Sequence, residues 1–351
     1  MQMKTAITRT GLGPAPVGHP HVKPAKVGIL LANLGTPDGT DYWSMWRYLR
    51  EFLSDKRVIE LPRLVWQPIL HTFVLTTRPQ KSGANYRTIW NNEKDESPLR
   101  TITREQVEAL RERLADQPEV VVEYGMRYGS PSIATAVAQL QEQGADRIVY
   151  FPLYPQYSAT TTATANDQLF RALMKLRNMP ATRTVPAYYD EPAYIEALAH
   201  SVEAHLAALD FEPEMILASY HGIPKRYFEA GDPYHCHCHK TTRLLRERLG
   251  YDDKRLITTF QSLFGKAEWI KPYTAATVEK LAHEGVKRIA IINPGFSADC
   301  IETLEEIAGE VRDEFIEAGG EKFAHIPCLN ASEGGMNLIE ALVRREMAGW
   351  A

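Results

Sequence analysis

The sequence predicts an α/β protein built from two similar parallel sheets, each flanked by helices, with a cleft between them. Two observations lead to this prediction. Short apolar runs typical of buried strands alternate with amphipathic stretches along the 351-residue chain, and such alternation favours parallel sheets that are covered by helices on both faces. In addition, segments of the first half recur in the second half, as two copies of one α/β unit would require.

Six runs have the apolar pattern of strands that are covered on both faces. They are Val27–Asn33, Val120–Glu123, Arg147–Leu153, Met215–Ser219, Arg255–Phe260 and Arg288–Asn293. Helical periodicity predicts helices over Tyr42–Leu53, Arg104–Leu114, Ile133–Gln143, Ala275–His283 and Asn337–Met347. Ligands bind beyond the carboxyl ends of the strands in sheets of this class, so the residues that follow each strand are the candidates for function.

Two pairs of similar segments indicate the internal repeat. Gly144–Ile148 resembles Gly285–Ile289, and Gly35–Pro37 resembles Gly222–Pro224. The predicted organisation is a flexible N-terminal arm over residues 1–25, a first α/β domain over residues 26–175 plus 335–351, and a second α/β domain over residues 176–334.

Composition and charge limit the classes of function. A chain with 44% hydrophobic and 24% charged residues is typical of globular proteins. The formal net charge of −4 argues against nucleic-acid binding, which needs a basic face. No apolar run reaches the roughly 18 residues of a membrane span, and the first 25 residues lack the apolar core of a secretory signal. Four scattered cysteines favour a reducing compartment, so we expect a cytoplasmic protein.

A helix is predicted directly after the last of the six strands. Pro294–Gly295 breaks the strand, and Asp299 is expected to cap the helix with Glu302 as its capping-box partner. Helical spacing predicts a packing face that consists of Ile301, Leu304, Ala308, Val311 and Phe315.

The opposite face of this helix carries an uncompensated row of acids. The row consists of Glu302, Glu306, Glu310 and Glu314 at intervals of one turn, and none of the first three has a Lys or Arg three or four residues away. Like charges at this spacing cost roughly 0.2–0.5 kcal/mol per pair, so a merely solvated face would usually include bases. On spacing alone, solvent-facing acids are the simpler interpretation and a cation-binding row is the alternative.

Two segments contain histidines of interest. His221 lies at the end of a predicted strand, where a neutral imidazole can accept a proton or bind a metal near pH 7. The run His235–His239 reads His-Cys-His-Cys-His, and in an extended chain it would present three imidazoles on one side and two thiols on the other. Such an arrangement is compatible with an accessory metal site. Because Cys-x-Cys lacks the spacing of ordinary zinc modules, an exposed loop with incidental histidines is the favoured interpretation and the metal site is the alternative.

Several blocks of sequence occur in the order that is found in one enzyme family. They are Leu34–Pro37, Tyr48–Asp55, Ser97–Leu99, Met126–Tyr128, Leu153–Ser158, Ser219–Pro224, Thr259–Ser262, Trp269 and Pro294–Glu306. Taken together, these blocks resemble ferrochelatases from about residue 26 to residue 331. The resemblance implies two Rossmann-like domains around a porphyrin cleft. It also implies insertion of Fe²⁺ into protoporphyrin IX to form protohaem, the terminal step of haem biosynthesis.

The resemblance further implies roles for individual residues. His221 and Glu302 would be the catalytic and metal-binding pair, and Glu306 with Glu310 would form an acidic relay. The porphyrin pocket would be lined by Leu34, Tyr86, Tyr154 and Trp269, with Arg78, Ser97 and Arg127 near its polar edges. The approach to Ser97 departs from the Gly-rich pattern of the family.

No cofactor is expected, because Fe²⁺ is a substrate. Ala159 stands where the animal-type iron–sulfur cluster has its first cysteine, so a cluster is not expected; an arrangement using Cys236 and Cys238 with Cys300 or Cys328 is the alternative. The expected partners are protoporphyrin IX and Fe²⁺, with peripheral membrane contact and without nucleic acid. The alternative functions are chelation of another metal or tetrapyrrole, as in a cobalt chelatase or a coproporphyrin ferrochelatase, or non-catalytic tetrapyrrole binding.

Overall fold

The computed structural model of the protein describes residues 25–265 and 267–350. The predicted flexible arm lies outside the described residues, apart from Ala25. The described chain contains two sheets of four strands each, and the strand pairings in both sheets are parallel. Among the helices of the described residues, no single one has the length and apolar character needed to cross a membrane.

The two sheets have the same topology. The first contains β1 (Lys26–Thr36), β2 (Val120–Gly129), β3 (Ala145–Pro152) and β4 (Ala181–Thr184), in the order β2-β1-β3-β4. The second contains β5 (Met215–His221), β6 (Leu256–Gln261), β7 (Arg288–Ile292) and β8 (Lys322–Ile326), in the order β6-β5-β7-β8. The six predicted strands are confirmed. The short edge strands β4 and β8 were not predicted, because neither has a continuous apolar run.

Helices cover both faces of the sheets. They are α1 (Tyr42–Leu53), α2 (Arg63–Ile69), α3 (Leu75–Ile89), α4 (Pro98–Arg113), α5 (Ile133–Glu142), α6 (Thr164–Leu173), α7 (Pro192–Ala208), α8 (Lys225–Glu229), α9 (Tyr234–Leu249), α10 (Thr274–His283), α11 (Arg312–Glu317) and α12 (Glu333–Met347). Three further segments are π-helical, namely Leu70–Val74, Ala159–Ala163 and Glu302–Val311. All five predicted helices are present, and α1 has the predicted bounds.

The internal repeat in the sequence corresponds to the repeated topology. The two Gly-x-Pro segments occur at the ends of β1 and β5, the first strand of each sheet, and the other pair of similar segments leads into β3 and β7. The first sheet extends to Thr184 through the pairing of β4 with β3, beyond residue 175, where the first domain was predicted to end. Helix α12 packs on both α4 and α7. The domain limits themselves stay a prediction.

The two halves meet through the loops beyond the carboxyl ends of their strands. The Ser158 hydroxyl and the Ala159 N–H donate hydrogen bonds of 2.9 and 2.8 Å to the carboxylate of Asp232. The Ser297 hydroxyl donates to the Leu153 carbonyl at 2.9 Å. These contacts fix the strand ends of one sheet against those of the other, so that functional side chains from both halves can share one site.

A buried ion pair holds α1 against the first sheet. The guanidinium of Arg127 on β2 donates to the carboxylate of Asp55 and to the Thr164 hydroxyl, and the Tyr128 hydroxyl donates to the same carboxylate at 3.0 Å. Burial acts to raise the pKa of Asp55, but hydrogen bonds from the Thr164 hydroxyl and the Arg57 N–H, together with Arg127 and Tyr128, outweigh it and the pKa lies below its ordinary value. The carboxylate is therefore charged at neutral pH and balances Arg127.

Replacing Asp55 by Ala is expected to destabilise the protein strongly, because the buried Arg127 guanidinium then keeps only the solvent-exposed Glu51 carboxylate, 3.8 Å away, as a charged partner. A loss of roughly 3–5 kcal/mol in the free energy of unfolding is expected from urea denaturation. Asp167→Ala is the matched control, since it removes a more solvent-accessible pair, with side chains 40% and 30% exposed, in which Arg57 donates at 2.7 and 2.9 Å, and pairs that solvent screens contribute about 1 kcal/mol or less. Equal losses in the two variants would contradict this interpretation.

Candidate active site

The predicted acidic helix is π-helical over Glu302–Val311. Its i→i+5 hydrogen bonds widen each turn, and segments of this kind occur frequently at functional sites. The buried face consists of Thr303, Ile307, Val311 and Phe315. The prediction that Leu304 and Ala308 belong to this face was wrong, because the wider turn aligns residues that are four apart; both side chains are only partly buried.

The predicted cap of this helix was also wrong. Its first turn has no side-chain cap. The carboxylate of Asp299 instead accepts hydrogen bonds from the Thr303 hydroxyl at 2.9 Å and from the Asn330 amide at 2.6 Å. Asp299 thus joins the start of the helix to the chain beyond β8, and Glu302 has no capping-box partner.

The acidic row runs from the interior to the surface. Glu302 and Glu306 are partly buried, whereas Glu310 is exposed. The carboxylate of Glu306 accepts hydrogen bonds from the Ser262 N–H at 2.6 Å and from the Ser262 hydroxyl at 2.5 Å. Burial raises the pKa of Glu306 above its ordinary value, although the Ser262 hydroxyl and the charge of His221 act to lower it. Glu306 can therefore exchange a proton nearer to neutral pH than an exposed carboxylate can.

Gln261, the last residue of β6, links the row to the second sheet. Its amide nitrogen donates to the backbone carbonyl of Glu302 at 2.7 Å and to the Glu306 carboxylate at 3.2 Å. Its amide oxygen accepts from the Ser219 hydroxyl and from the Asn293 amide, both at 2.8 Å. One buried side chain thus connects β5, β6, the end of β7 and the acidic helix.

Ser262 has a strained backbone conformation. Its φ of 63° lies in the left-handed region, which is uncommon for residues other than glycine and clusters at functional sites. In this conformation its N–H and hydroxyl are directed at the same carboxylate, that of Glu306. Sequence reasoning named neither Ser262 nor Gln261 as a site residue, although both belong to the block Thr259–Ser262 that pointed to the family.

His221 lies at the end of β5, as predicted, with its tautomer fixed. Its Nδ1 is 2.6 Å from the carbonyl oxygen of Gly222. A carbonyl can only accept, so Nδ1 carries the hydrogen and Nε2 of the neutral ring keeps its lone pair. The ring lies 6.3 Å from that of Trp269, centroid to centroid. A Cβ on Gly222 would lie 2.9 Å from the Gln261 carbonyl oxygen and 3.0 Å from the Trp269 ring, so this turn requires glycine.

Glu306 interacts electrostatically with both His221 and Glu302. The charge of His221 lowers the pKa of Glu306, whereas the charge of Glu302 raises it. Sequence reasoning predicted Glu302 as the partner of His221. Glu306 is thus a second acid that the charge of His221 reaches.

The inner end of the row adjoins an aromatic cluster of the first half. Tyr86 is buried in a cluster that also contains Tyr48, and Leu34 and Ile301 pack against it. Burial and then the charge of Glu302 raise the pKa of Tyr86. Two of the predicted porphyrin contacts, Leu34 and Tyr86, are therefore brought beside the acids, and Trp269 lies beside the histidine.

Two other predicted porphyrin contacts already have partners within the protein. Arg127 is buried and paired with Asp55. Ser97 is buried and caps α4, where its hydroxyl accepts from the Arg100 N–H at 3.3 Å. The structure gives both side chains a stabilising role, and their contact with porphyrin stays a prediction.

The remaining two predicted porphyrin contacts are Tyr154 and Arg78. Tyr154 is buried, and its hydroxyl has no hydrogen-bond partner within the described part of the chain. Arg78 on α3 stacks over the ring of Phe264 at 4.3 Å, and burial lowers the pKa of its guanidinium. The Arg78 contact joins α3 to the loop that follows β6, next to Ser262.

The His235–His239 run is helical, so its predicted extended alternation was wrong. It forms the first turns of α9. His237 stacks on Tyr189 with ring centroids 3.6 Å apart, and its Nδ1 accepts from the Tyr157 N–H at 3.2 Å. His235 and His239 instead face one another on another side of the helix. The imidazoles therefore do not share one face.

The four cysteines are free thiols. Cys236 is exposed on α9, whereas Cys238, Cys300 and Cys328 are buried, and burial raises the pKa of each of these three thiols. Among the described residues, no group of three or more His, Cys, Asp or Glu side chains is arranged to hold a metal ion. The expected lack of an iron–sulfur cluster stays a prediction.

Comparisons with known proteins give a consistent result. The family description "Ferrochelatase" matches residues 26–347. A ferrochelatase from Mesorhizobium japonicum is 67% identical over 333 residues, which cover 95% of this chain and 94% of the relative. A ferrochelatase from Agrobacterium fabrum is 62% identical over 341 residues, which cover 97% of this chain and 99% of the relative.

A solved structure has a similar fold at low sequence identity. SirB from Bacillus subtilis with Fe³⁺ superposes with a TM-score of 0.55 and 14% identity, covering 92% of this chain and 96% of SirB. At this identity the comparison supports the fold, namely two α/β halves with parallel sheets.

Removing the Ser262 hydroxyl is expected to raise the pKa of Glu306 further, because that hydroxyl stabilises the carboxylate form. Ser262→Ala tests this by infrared titration of the carboxyl band, with Glu306→Gln to assign the band. Ser262→Gly is the control for backbone strain, since it removes the same donor and relieves the left-handed conformation. An unchanged pKa in both variants would show that the hydroxyl does not tune Glu306.

Proposed function

This chain belongs to the ferrochelatase family, and we propose that His221 and Glu302 are its catalytic and metal-binding residues, with Glu306 and Glu310 as an acidic relay. The protein inserts Fe²⁺ into protoporphyrin IX and forms protohaem, the terminal step of haem biosynthesis. The observation that best supports the residue assignment is the fixed tautomer of His221, which leaves a lone pair on Nε2 beside an acid of raised pKa.

The reaction needs a group that takes protons from the porphyrin. Two pyrrole N–H protons must leave as the metal enters, and the neutral imidazole of His221 can accept them at Nε2 one at a time. Its hydrogen bond to the Gly222 carbonyl stabilises the imidazolium that forms, because Nδ1–H then donates more strongly. The proton then passes to the acidic row, in which Glu302 is the catalytic partner and Glu306, whose pKa responds to the charge of His221, belongs to the relay that carries protons outward.

The reaction also needs a path for a hydrated cation. Carboxylate oxygens are suitable ligands for Fe²⁺ and can replace its water molecules stepwise. The row begins at exposed Glu310 and passes through Glu306 to partly buried Glu302. In this proposal Fe²⁺ moves inward along the row to Glu302, and protons leave outward along the same side chains.

The side chains around the inner end of the acidic row suit the flat, largely apolar ring of a porphyrin. Pockets for such ligands are lined mostly by aromatic and aliphatic groups with a few positioned polar groups. Leu34, Tyr86 and Trp269 supply the apolar contacts from both halves of the protein. Rigid packing on these side chains would hold the macrocycle in the bent form that exposes its nitrogen lone pairs, which is the form that resembles the transition state.

Exposed apolar side chains support the expected peripheral membrane contact. Near the aromatic cluster, Trp43, Leu64, Val65 and Phe73 are between 55% and 92% exposed. Such a concentration of exposed apolar surface is typical of interaction sites. Membrane contact and the cytoplasmic location stay predictions.

His221→Ala is expected to abolish iron insertion, because it removes the imidazole whose Nε2 accepts the pyrrole protons in this proposal. Porphyrin binding should largely survive, since its apolar contacts remain. The measurements are protohaem formation from Fe²⁺ and protoporphyrin IX by visible absorption, porphyrin binding by fluorescence, and circular dichroism for the fold. His200→Ala on the surface of α7 is the control. Insertion by the His221 variant at near the parent rate would refute the assignment.

Glu302→Gln is expected to lower the turnover rate by roughly 10²-fold or more, the scale of losing a positioned acid–base group. Glu306→Gln and Glu310→Gln should be milder and should mainly weaken the apparent affinity for Fe²⁺. The oxygens of Glu306 already accept hydrogen bonds from Ser262 and Gln261, which makes it a weaker ligand. If the steady-state rates of all three variants instead show equally small effects, the proposal is wrong and the acids have no role in metal insertion.

A further inference from the structure

The first turns of α9 place two imidazoles in contact. His235 and His239 are four residues apart, so they lie one above the other on the same side of the helix. Their Nε2 atoms are 3.1 Å apart and their ring centroids are 4.4 Å apart. The two nitrogens that are farthest from the helix backbone are thus directed at the same point.

This separation matches the spacing of two ligands on one transition-metal ion. With metal–nitrogen bonds of about 2.0–2.1 Å, two imidazole nitrogens stand about 3.3 Å apart at a tetrahedral angle and about 2.9 Å apart at a right angle. The distance of 3.1 Å between His235 and His239 lies between these values. A metal ion could therefore replace the hydrogen that the two nitrogens share, with little movement of either ring.

Apolar rings hold the pair in place. His235 stacks on Phe260 with centroids 5.6 Å apart and planes inclined by 22°, and Phe228 lies 5.1 Å from it on another side. His239 also contacts Phe260, with centroids 6.0 Å apart. Both histidines are only partly buried. Packing therefore fixes the rings, while solvent can still reach the nitrogens and supply the remaining ligands of an ion.

The groups around His235 and His239 favour transition-metal ions over Mg²⁺ and Ca²⁺. Burial lowers the pKa of His235, and burial with the neighbouring His235 and Arg246 lowers the pKa of His239 to about 4. Within the described part of the chain, none of the groups that shift these values is a carboxylate. Mg²⁺ and Ca²⁺ prefer oxygen ligands, whereas imidazole suits copper, zinc and nickel, with Cu²⁺ bound most strongly.

The pair lies on the opposite face of the second sheet from the acidic row. His235 stacks on Phe260, whereas the next residue, Gln261, donates to Glu306. Successive side chains of a strand point to opposite faces. The two groups are therefore distinct, and an ion on the histidine pair would not occupy the path to Glu302.

We propose that His235 and His239 form an accessory site for a late first-row transition-metal ion such as Cu²⁺ or Zn²⁺, with two protein ligands and water completing the coordination. The site is separate from the one that handles Fe²⁺ during the reaction. His237 takes no part in it, because its ring is stacked on Tyr189 and its Nδ1 accepts from a backbone N–H.

Titration of the full-length protein with Cu²⁺ tests the proposal. The background variant carries His221→Ala and Cys236→Ser, because these changes remove the catalytic histidine and the exposed thiol as competing ligands. One Cu²⁺ should bind tightly per chain, since the carboxylates of Glu302, Glu306 and Glu310 that remain in this background supply only oxygen ligands, which bind Cu²⁺ less strongly than imidazole does. Adding His235→Ala or His239→Ala should weaken binding by at least tenfold, because loss of even a residue that only hydrogen-bonds to a metal ligand typically costs about 10–100-fold in affinity. Adding His237→Ala, the matched control on the same helix, should leave the affinity unchanged.

Two results would overturn the proposal. One is unchanged Cu²⁺ affinity in the His235 and His239 variants, and the other is an equal loss in the His237 variant, which would indicate general distortion of α9. Electron paramagnetic resonance of Cu²⁺ bound to the background protein tests the site without any substitution of His235 or His239. Hyperfine coupling to two equatorial nitrogens is expected, and a spectrum with oxygen ligands alone would be equally decisive against the site.

Discussion

The active site depends on the hydrogen bonds that the end of β6 gives to the acidic helix. Gln261 binds both the backbone of Glu302 and the carboxylate of Glu306, and Ser262 adds two donors to that carboxylate. These bonds fix the position of the Glu306 carboxylate, while the apolar side chains of Ile307 and Val311 pack the same helix against the second sheet. The strained backbone of Ser262 is consistent with this role, since such strain persists only where surrounding contacts determine it.

The two halves of the protein share a topology but contribute different chemistry. The second half supplies the histidine and the acids, at the ends of β5 and β7, while the first half supplies the aromatic cluster around Tyr86. The repeated Gly-x-Pro turns illustrate the difference. Gly35 adopts a φ of 106° with no room for a Cβ against the Tyr128 carbonyl, and Gly222 instead leaves room for Trp269 beside His221.

The sequence predicted the parts of the fold that have a strong local pattern. Six apolar strands, five helices and the repeat were recognisable, whereas the short strands β4 and β8 were not, because neither has a continuous apolar run. The prediction assumed α-helical spacing, so it could not give the π-helical form of Glu302–Val311 or the packing face that follows from it. The hydrogen bond from Thr303 to Asp299 was missed for the same reason. Resemblance to a family suggested His221 and the acids, but the contacts of Ser262 with Glu306 depend on tertiary structure.

The claim most central to this account is that His221 keeps a free lone pair on Nε2 while Nδ1 donates to the Gly222 carbonyl. Nitrogen-15 NMR of the protein labelled at histidine, with His221→Ala to assign the signal, measures this directly. We predict a protonated Nδ1 and an unprotonated Nε2 in the neutral ring, with the Nε2 signal shifting when a metal ion is added. A proton on Nε2 of the neutral ring would contradict the account, because the ring could then neither accept a pyrrole proton nor bind the metal at that atom.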